Sequence, residues 1–245
     1  MKKIILFLSV LYPLLSLAQM SGEVTYEDKM NLHRRLTGER ERFKEFVPEF
    51  RSTHKTLLFS EGESLYTTAK EQPEQDVPEA GPGGRRFRMR MGANNEILYK
   101  NLAEGTQVAQ RDFMDKKFLI TGDPEKFQWK LTGKQMKFGE YLCMEATFED
   151  SARKVVVWFT PQIPVSTGPA DFGGLPGLVL AVDINEGERQ ITALDIQLRP
   201  LEEGEITKPT KGKEMTDEEY RQMVREKMQE MRRQGGGRTM MIRRP

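Results

Sequence analysis

The 245-residue chain is poor in the residues that most chemistry relies on: one cysteine, two histidines and two tryptophans. A single Cys143 rules out an internal disulfide framework and a cysteine-built metal centre. With only His33 and His54, no nucleophile–base motif can be assembled from spacing. Ser166-Thr167 follows no G-x-S-x-G pattern. Gly173, Gly174 and Gly177 lack the following Lys-Ser/Thr of a phosphate loop, and what comes next reads as a strand rather than a helix. No catalytic residue, metal ligand set or cofactor is therefore assigned. A dominant charge is also missing, because 38 basic residues face 37 acidic ones. That balance gives no footprint for nucleic acid or an anionic membrane.

Long apolar runs are absent except at the start. Lys2-Lys3 precedes an apolar stretch from Ile4 that ends in Ser16-x-Ala18, too short for a transmembrane span. It reads as a signal peptide over residues 1–18, cleaved to leave a periplasmic or secreted chain with no integral membrane span. Loss of Lys2 and Lys3 takes the basic count from 38 to 36 against 37 acidic residues, a net charge of about −1.

No βαβ rhythm follows, which argues against a Rossmann-like sheet. Short alternating segments separated by turn residues dominate instead. Strands are expected at Gly22–His33, Lys55–Ser60, Ser64–Thr68, Phe87–Met91, Glu96–Asn101, Thr106–Phe113, Lys117–Ile120, Phe127–Leu131, Gly139–Glu149, Lys154–Thr160 and Gln190–Leu198. Residues 70–86 are polar and rich in Pro and Gly, and read as a mobile loop within the domain. Thr37–Val47 carries Phe43, Phe46 and Val47 at helical spacing before Pro48, predicting an amphipathic helix packed on the sheet. The expected fold is mainly β: an antiparallel, strongly curved sheet or half-barrel with one or two covering helices and a C-terminal helix and tail.

The expected organisation is one β-rich domain over residues 19–205 and a Met-rich extension over 206–245. Thr216-Asp217-Glu218-Glu219 is a capping box opening a helix to about Gln234, with Tyr220, Met223, Val224, Met228 and Met231 on one face. A basic Gly-rich tail follows. Thioethers suit Cu(I), so copper handling is one alternative, although the helical stripe is what packing selects.

The densest signal is residues 161–184. Its first part is crowded with Gly and Pro, including Gly168, Pro169, Gly174, Pro176 and Gly177, and its end is almost wholly aliphatic. Leu175-Pro176-Gly177-Leu178 suits a type II turn, and Leu178–Ile184 reads as a central strand apolar on both faces. Asp171 is the loop's only charged group. Tyr141 and Trp158 fall on mixed aromatic and polar faces of their strands, so they are candidates to line a ligand cavity with Trp129 and Phe172 at its mouth. Packing of Trp158 in a second layer is the alternative meaning of the same pattern.

Gly174-Leu175-Pro176-Gly177-Leu178-Val179 resembles the signature of the GLPGLI family of Bacteroidetes-type envelope proteins, with Val179 where the family name has Ile. Trp129-Lys130-Leu131, Gly139–Cys143, Val157–Thr160, Ile163-Pro164 and Gly168-Pro169 follow the family pattern in order, as does Phe59 through Tyr66 upstream. The resemblance implies an exported accessory or binding protein associated with outer-membrane receptor and transport systems, and no defined activity. An uncharacterised hydrolase working through carboxylates is the remaining alternative.

Overall fold

The computed structural model describes residues 20–73 and 96–235. Residues 1–18, most of the 70–86 loop, the expected strand Phe87–Met91 and the tail beyond Gly235 lie outside the described residues.

Among the described residues, twelve strands form one sheet: β1 (Gly22–Asn31), β2 (Phe50–Phe59), β3 (Glu63–Thr68), β4 (Ile97–Asn101), β5 (Thr106–Phe113), β6 (Lys116–Gly122), β7 (Lys130–Phe138), β8 (Tyr141–Glu149), β9 (Lys154–Thr160), β10 (Leu178–Ile184), β11 (Arg189–Leu198) and β12 (Lys213–Thr216). The order across the sheet is β12-β6-β5-β4-β3-β2-β1-β11-β10-β9-β8-β7. Two antiparallel meanders thus meet at the β1–β11 pair, and only β12 runs parallel to its neighbour β6. Most sequential neighbours are joined by short turns and pair directly, and β3–β4 and β9–β10 pair across longer segments.

One face of this sheet is the core. Cross-strand partners share a face, so Val24, Leu57, Tyr66, Leu98, Ala109 and Ile120 form a continuous row across six strands. All six are buried. On the other wing Phe148, Val155, Val157, Val182 and Ile191 continue the same face.

The second layer is the 161–177 loop. Ile163, Val165, Phe172 and Leu175 are buried against the inner face, each at a gain of about 1.5–3 kcal/mol. Hydrogen bonds along the loop show how strongly the sheet curls. The Val179 amide donates to Thr167 O at 3.0 Å, while Thr167 Oγ1 meets Ser64 Oγ at 2.9 Å. Ser64 lies in β3, four strand positions from β10. A flat sheet would hold those strands about 19 Å apart, so one threonine bridges them only because the sheet wraps around the loop. The architecture is an open, strongly curved half-barrel, as the sequence pattern implied.

The expected helix over Thr37–Val47 is a 3-10 stretch, Gly38–Phe46, with no buried residue. Phe43, Phe46 and Phe50 are exposed; Arg42 stacks on Phe43 and Lys29 on Phe50. The inner face is already filled by the loop, so this charged stretch has no place in that layer.

The turn chemistry also differs from expectation. Gly177 N donates to Leu175 O at 2.7 Å, an i to i+2 bond that makes an inverse γ-turn centred on Pro176. Leu178 N, which a type II turn would have given to Leu175, goes to Ile163 O at 3.0 Å. The entry to β10 therefore pairs with the loop's own beginning. β10 itself is an interior strand, with Leu178, Val179 and Leu180 completely buried.

At the far edge, β12 leads directly into α1 (Asp217–Gly235). The capping box closes in both directions: Thr216 N to Glu219 Oε2 at 2.8 Å and Glu219 N to Thr216 Oγ1 at 3.2 Å. Tyr220 packs edge-on against Phe118 of β6, and Met223 and Val224 join the core margin. Met228 and Met231 are exposed further along. Among the described residues, no helix is long and apolar enough to cross a membrane.

Candidate functional site

The five candidate ligand residues divide between the two faces of the sheet. Glu145 opposes Trp158 and Phe148 opposes Val155 in the β8–β9 register. Trp158, Glu145 and Tyr141 therefore lie on the outer face, and Phe148 on the inner one. Trp158 and Tyr141 are half-buried there, with Lys134 bridging Glu145 at 3.0 Å beside them. Neither lines the cleft that Asp171 and Phe172 share.

Trp129 and Phe172 do come together. Phe127 stacks on Trp129 at 4.8 Å and on Phe172 at 5.4 Å, and Phe148 meets Phe127 edge-on at 5.2 Å. The Trp129 indole donates to Gly173 O at 2.8 Å, pinning the motif loop to the segment before β7. Such aromatic pairs each contribute about 0.5–1.5 kcal/mol beyond their buried area. Trp129 is thus a strut for the loop, with a definite donor role.

The loop glycines have distinct tasks. At Gly177, with φ of 156°, an added Cβ would sit 2.1 Å from Thr160 O and 2.7 Å from Thr160 C. At Gly168 it would sit 2.6 Å from Val179 Cβ. Both positions are places where two backbones meet, and only glycine fits.

Beside the aromatic cluster a cleft of about 410 Å³ opens between the motif loop, the 150–153 turn and the β10–β11 turn. Phe127, Phe172 and Ile184 supply apolar wall, and Asp171 faces in from the loop. Three arginines also line it, and each already has a carboxylate partner. Arg153 grips Glu125 through two nitrogens at 2.6 and 3.3 Å and touches Asp150 at 3.2 Å. Arg35 meets Glu188 at 3.3 Å. Arg189 holds Asp28 in a bidentate pair at 2.9 and 2.7 Å, a largely buried fork on the inner face. Asn185 donates to Glu188 and Arg35 lies against it, which together hold that carboxyl below the ordinary range. Asp171 differs from all of these. Among the described residues it makes no hydrogen bond and no ion pair, and it lies within electrostatic reach of Lys100 and Arg111.

The residue that sequence reasoning missed is Lys100. It is buried in β4 and its Nζ donates to Ala170 O at 2.6 Å, next to Asp171 in the chain. Burial pushes its ammonium down to about 8, against the pull of Asp171. Ala170 sits at φ of 50°, and Asn185 and Glu186 across the cleft at 52° and 56°. Non-glycine residues in that region cost about 1–3 kcal/mol each and concentrate at sites where position matters. In the sequence, Lys100 is one lysine among many in an alternating strand; only the sheet register turns it inward.

Comparison with known proteins adds one family match. Residues 148–181 match a family described as "Protein of unknown function (Porph_ging)". That span runs from the end of β8 through the motif loop into β10, the segment that builds both the inner layer and the cleft. No curated protein matches the chain. Two solved structures of PNGF-II, in C2 and P21 crystal forms, share the fold with a TM-score of 0.55 at 15% identity. They cover 84% of this chain, which spans only 32% and 33% of theirs. At that identity the likeness concerns fold alone.

Metal binding finds no carboxylate, histidine or cysteine cluster among the described residues. Cys143 is buried, and burial raises its thiol to about 11, so it is held as an unreactive thiol.

Proposed function

We propose that this is a non-enzymatic, exported binding or accessory protein of the bacterial envelope, whose ligand site is the cleft beneath the motif loop. The observation that carries this reading is Asp171: an unpartnered carboxylate beside Phe172 in a cleft of small-molecule size, on a loop held rigid by four separate anchors. A preorganised loop presenting one unsatisfied group suits recognition. The hydrolase alternative fits less well. Acid–base hydrolysis needs two carboxyls with divergent proton affinities, and the other two at this cleft, Glu125 and Glu188, are engaged by Arg153 and Arg35.

The exported location and the link to an outer-membrane receptor rest on the leader-like first 18 residues and on the GLPGLI resemblance. In this reading the mature chain lacks those 18 residues, and intact mass of the protein recovered from the envelope measures that directly. For the site, the tagged protein is recovered from envelope extracts and what it retains is identified. Asp171→Ala should lose the retained species while the thermal midpoint stays within about 2 °C of wild type. Retention unaffected by Asp171→Ala would remove the cleft from the account.

A further inference from the structure

We propose that the cleft takes the cationic end of its ligand, an alkylammonium or guanidinium on an apolar stem, on the Asp171 carboxylate. This deepens the ligand-site reading above and rests on it. Arg35, Arg153 and Arg189 would be the natural receptors for an anion, yet each is committed to Glu188, Glu125 or Asp28. An anionic ligand would compete with Glu188, Glu125 or Asp28 for the same guanidinium and would approach the carboxylate already there. Among the described residues, Asp171 is the carboxylate at the cleft that holds no partner, and a cation meeting it gains a charge-assisted hydrogen bond without breaking a pair.

The surroundings fit the rest of such a ligand. Phe127, Phe172, Ile184, Ala152 and Ala170 give the cleft apolar walls for a short aliphatic stem. Lys100 donates to Ala170 O and thereby fixes the backbone that carries Asp171. Lys100 and Arg111 lie within electrostatic reach of Asp171 from the sheet side without touching it.

The test titrates the full-length chain with three probes of equal stem, n-hexylammonium, hexanoate and hexanol, following backbone NMR signals of Phe172, Ile184 and Glu188. Hexylammonium should shift those signals with millimolar or tighter affinity, and Asp171→Asn should weaken it at least ten-fold. Arg35→Gln, which removes the arginine from Glu188 and leaves its Asn185 hydrogen bond, should leave hexylammonium binding equal or tighter. Hexanoate shifting the same signals at lower concentration than hexylammonium overturns the cation assignment and leaves the ligand site standing. Undiminished hexylammonium binding by Asp171→Asn likewise overturns the role of that carboxylate. If none of the three probes moves these signals, both the class and the site fall.

Discussion

Asp171 and Gly177 lie six residues apart in one loop and should respond to mutation in opposite ways. Gly177→Ala puts a methyl into the Thr160 carbonyl, and neither backbone can retreat without opening the β9–β10 pair. A loss of at least about 2 kcal/mol in urea unfolding is expected. Asp171→Asn breaks no contact in the folded protein and should move the midpoint by less than about 0.5 kcal/mol. Lys100 gives a pH signature. Its folded value, near 8, lies below that of the unfolded chain, so between those limits the unfolded state holds more protons and stability rises with pH. Below about pH 8 the buried charge is a constant burden. From about pH 8 to 9.5 the wild type should gain about 1–2 kcal/mol relative to Lys100→Met, read from denaturant midpoints at each pH. A flat difference would mean that Lys100 is not buried as described. Of these three residues, the sequence made Gly177 legible as a necessary glycine, although for the wrong turn, and singled out Asp171 by its isolation. Lys100 was invisible because its inward orientation depends on pairing with β3 and β5.

At the scale of elements, alternation located most strands to within a residue or two, since one face of each is buried and the other wet. The failures have physical causes. The expected strand Phe127–Leu131 is in fact Lys130–Phe138, and a bulge between Leu131 and Gln135 in the β7–β8 pairing breaks the alternation that would have marked it. β12 escaped notice because a four-residue parallel edge strand has no periodicity to detect. Helical spacing of Phe43, Phe46 and Val47 suggested a covering helix, but spacing cannot say whether a surface remains to be covered. Replacing Phe46 by Ser should therefore cost little stability, within about 0.5 kcal/mol. The capping box at Thr216 is a positive case, legible in sequence and present in both directions. Thr216→Ala should cost about 1 kcal/mol and reduce helicity in far-ultraviolet circular dichroism, whereas an unchanged spectrum and stability would show that β12 alone anchors α1.

For the whole molecule, the organising fact is that a 17-residue loop, rather than a helix, forms the layer inside the half-barrel. It joins β10 to β3 and β4 through Thr167 and Ala170, and fills the space between them with Ile163, Val165, Phe172 and Leu175. The same loop, anchored on one side by Trp129, turns Asp171 outward into the cleft. The most direct test is native-state hydrogen exchange at the amides of Val165, Thr167, Leu178 and Val179. All four donate within the loop or between the loop and the start of β10. If the loop is the inner layer, these amides open only with the global unfolding that exposes β1 and β10, and their exchange free energies match those of Tyr26 and Val182. Exchange as fast as that of an exposed turn, with the strands still protected, would show a loop resting on the sheet rather than holding it together, and would contradict this account.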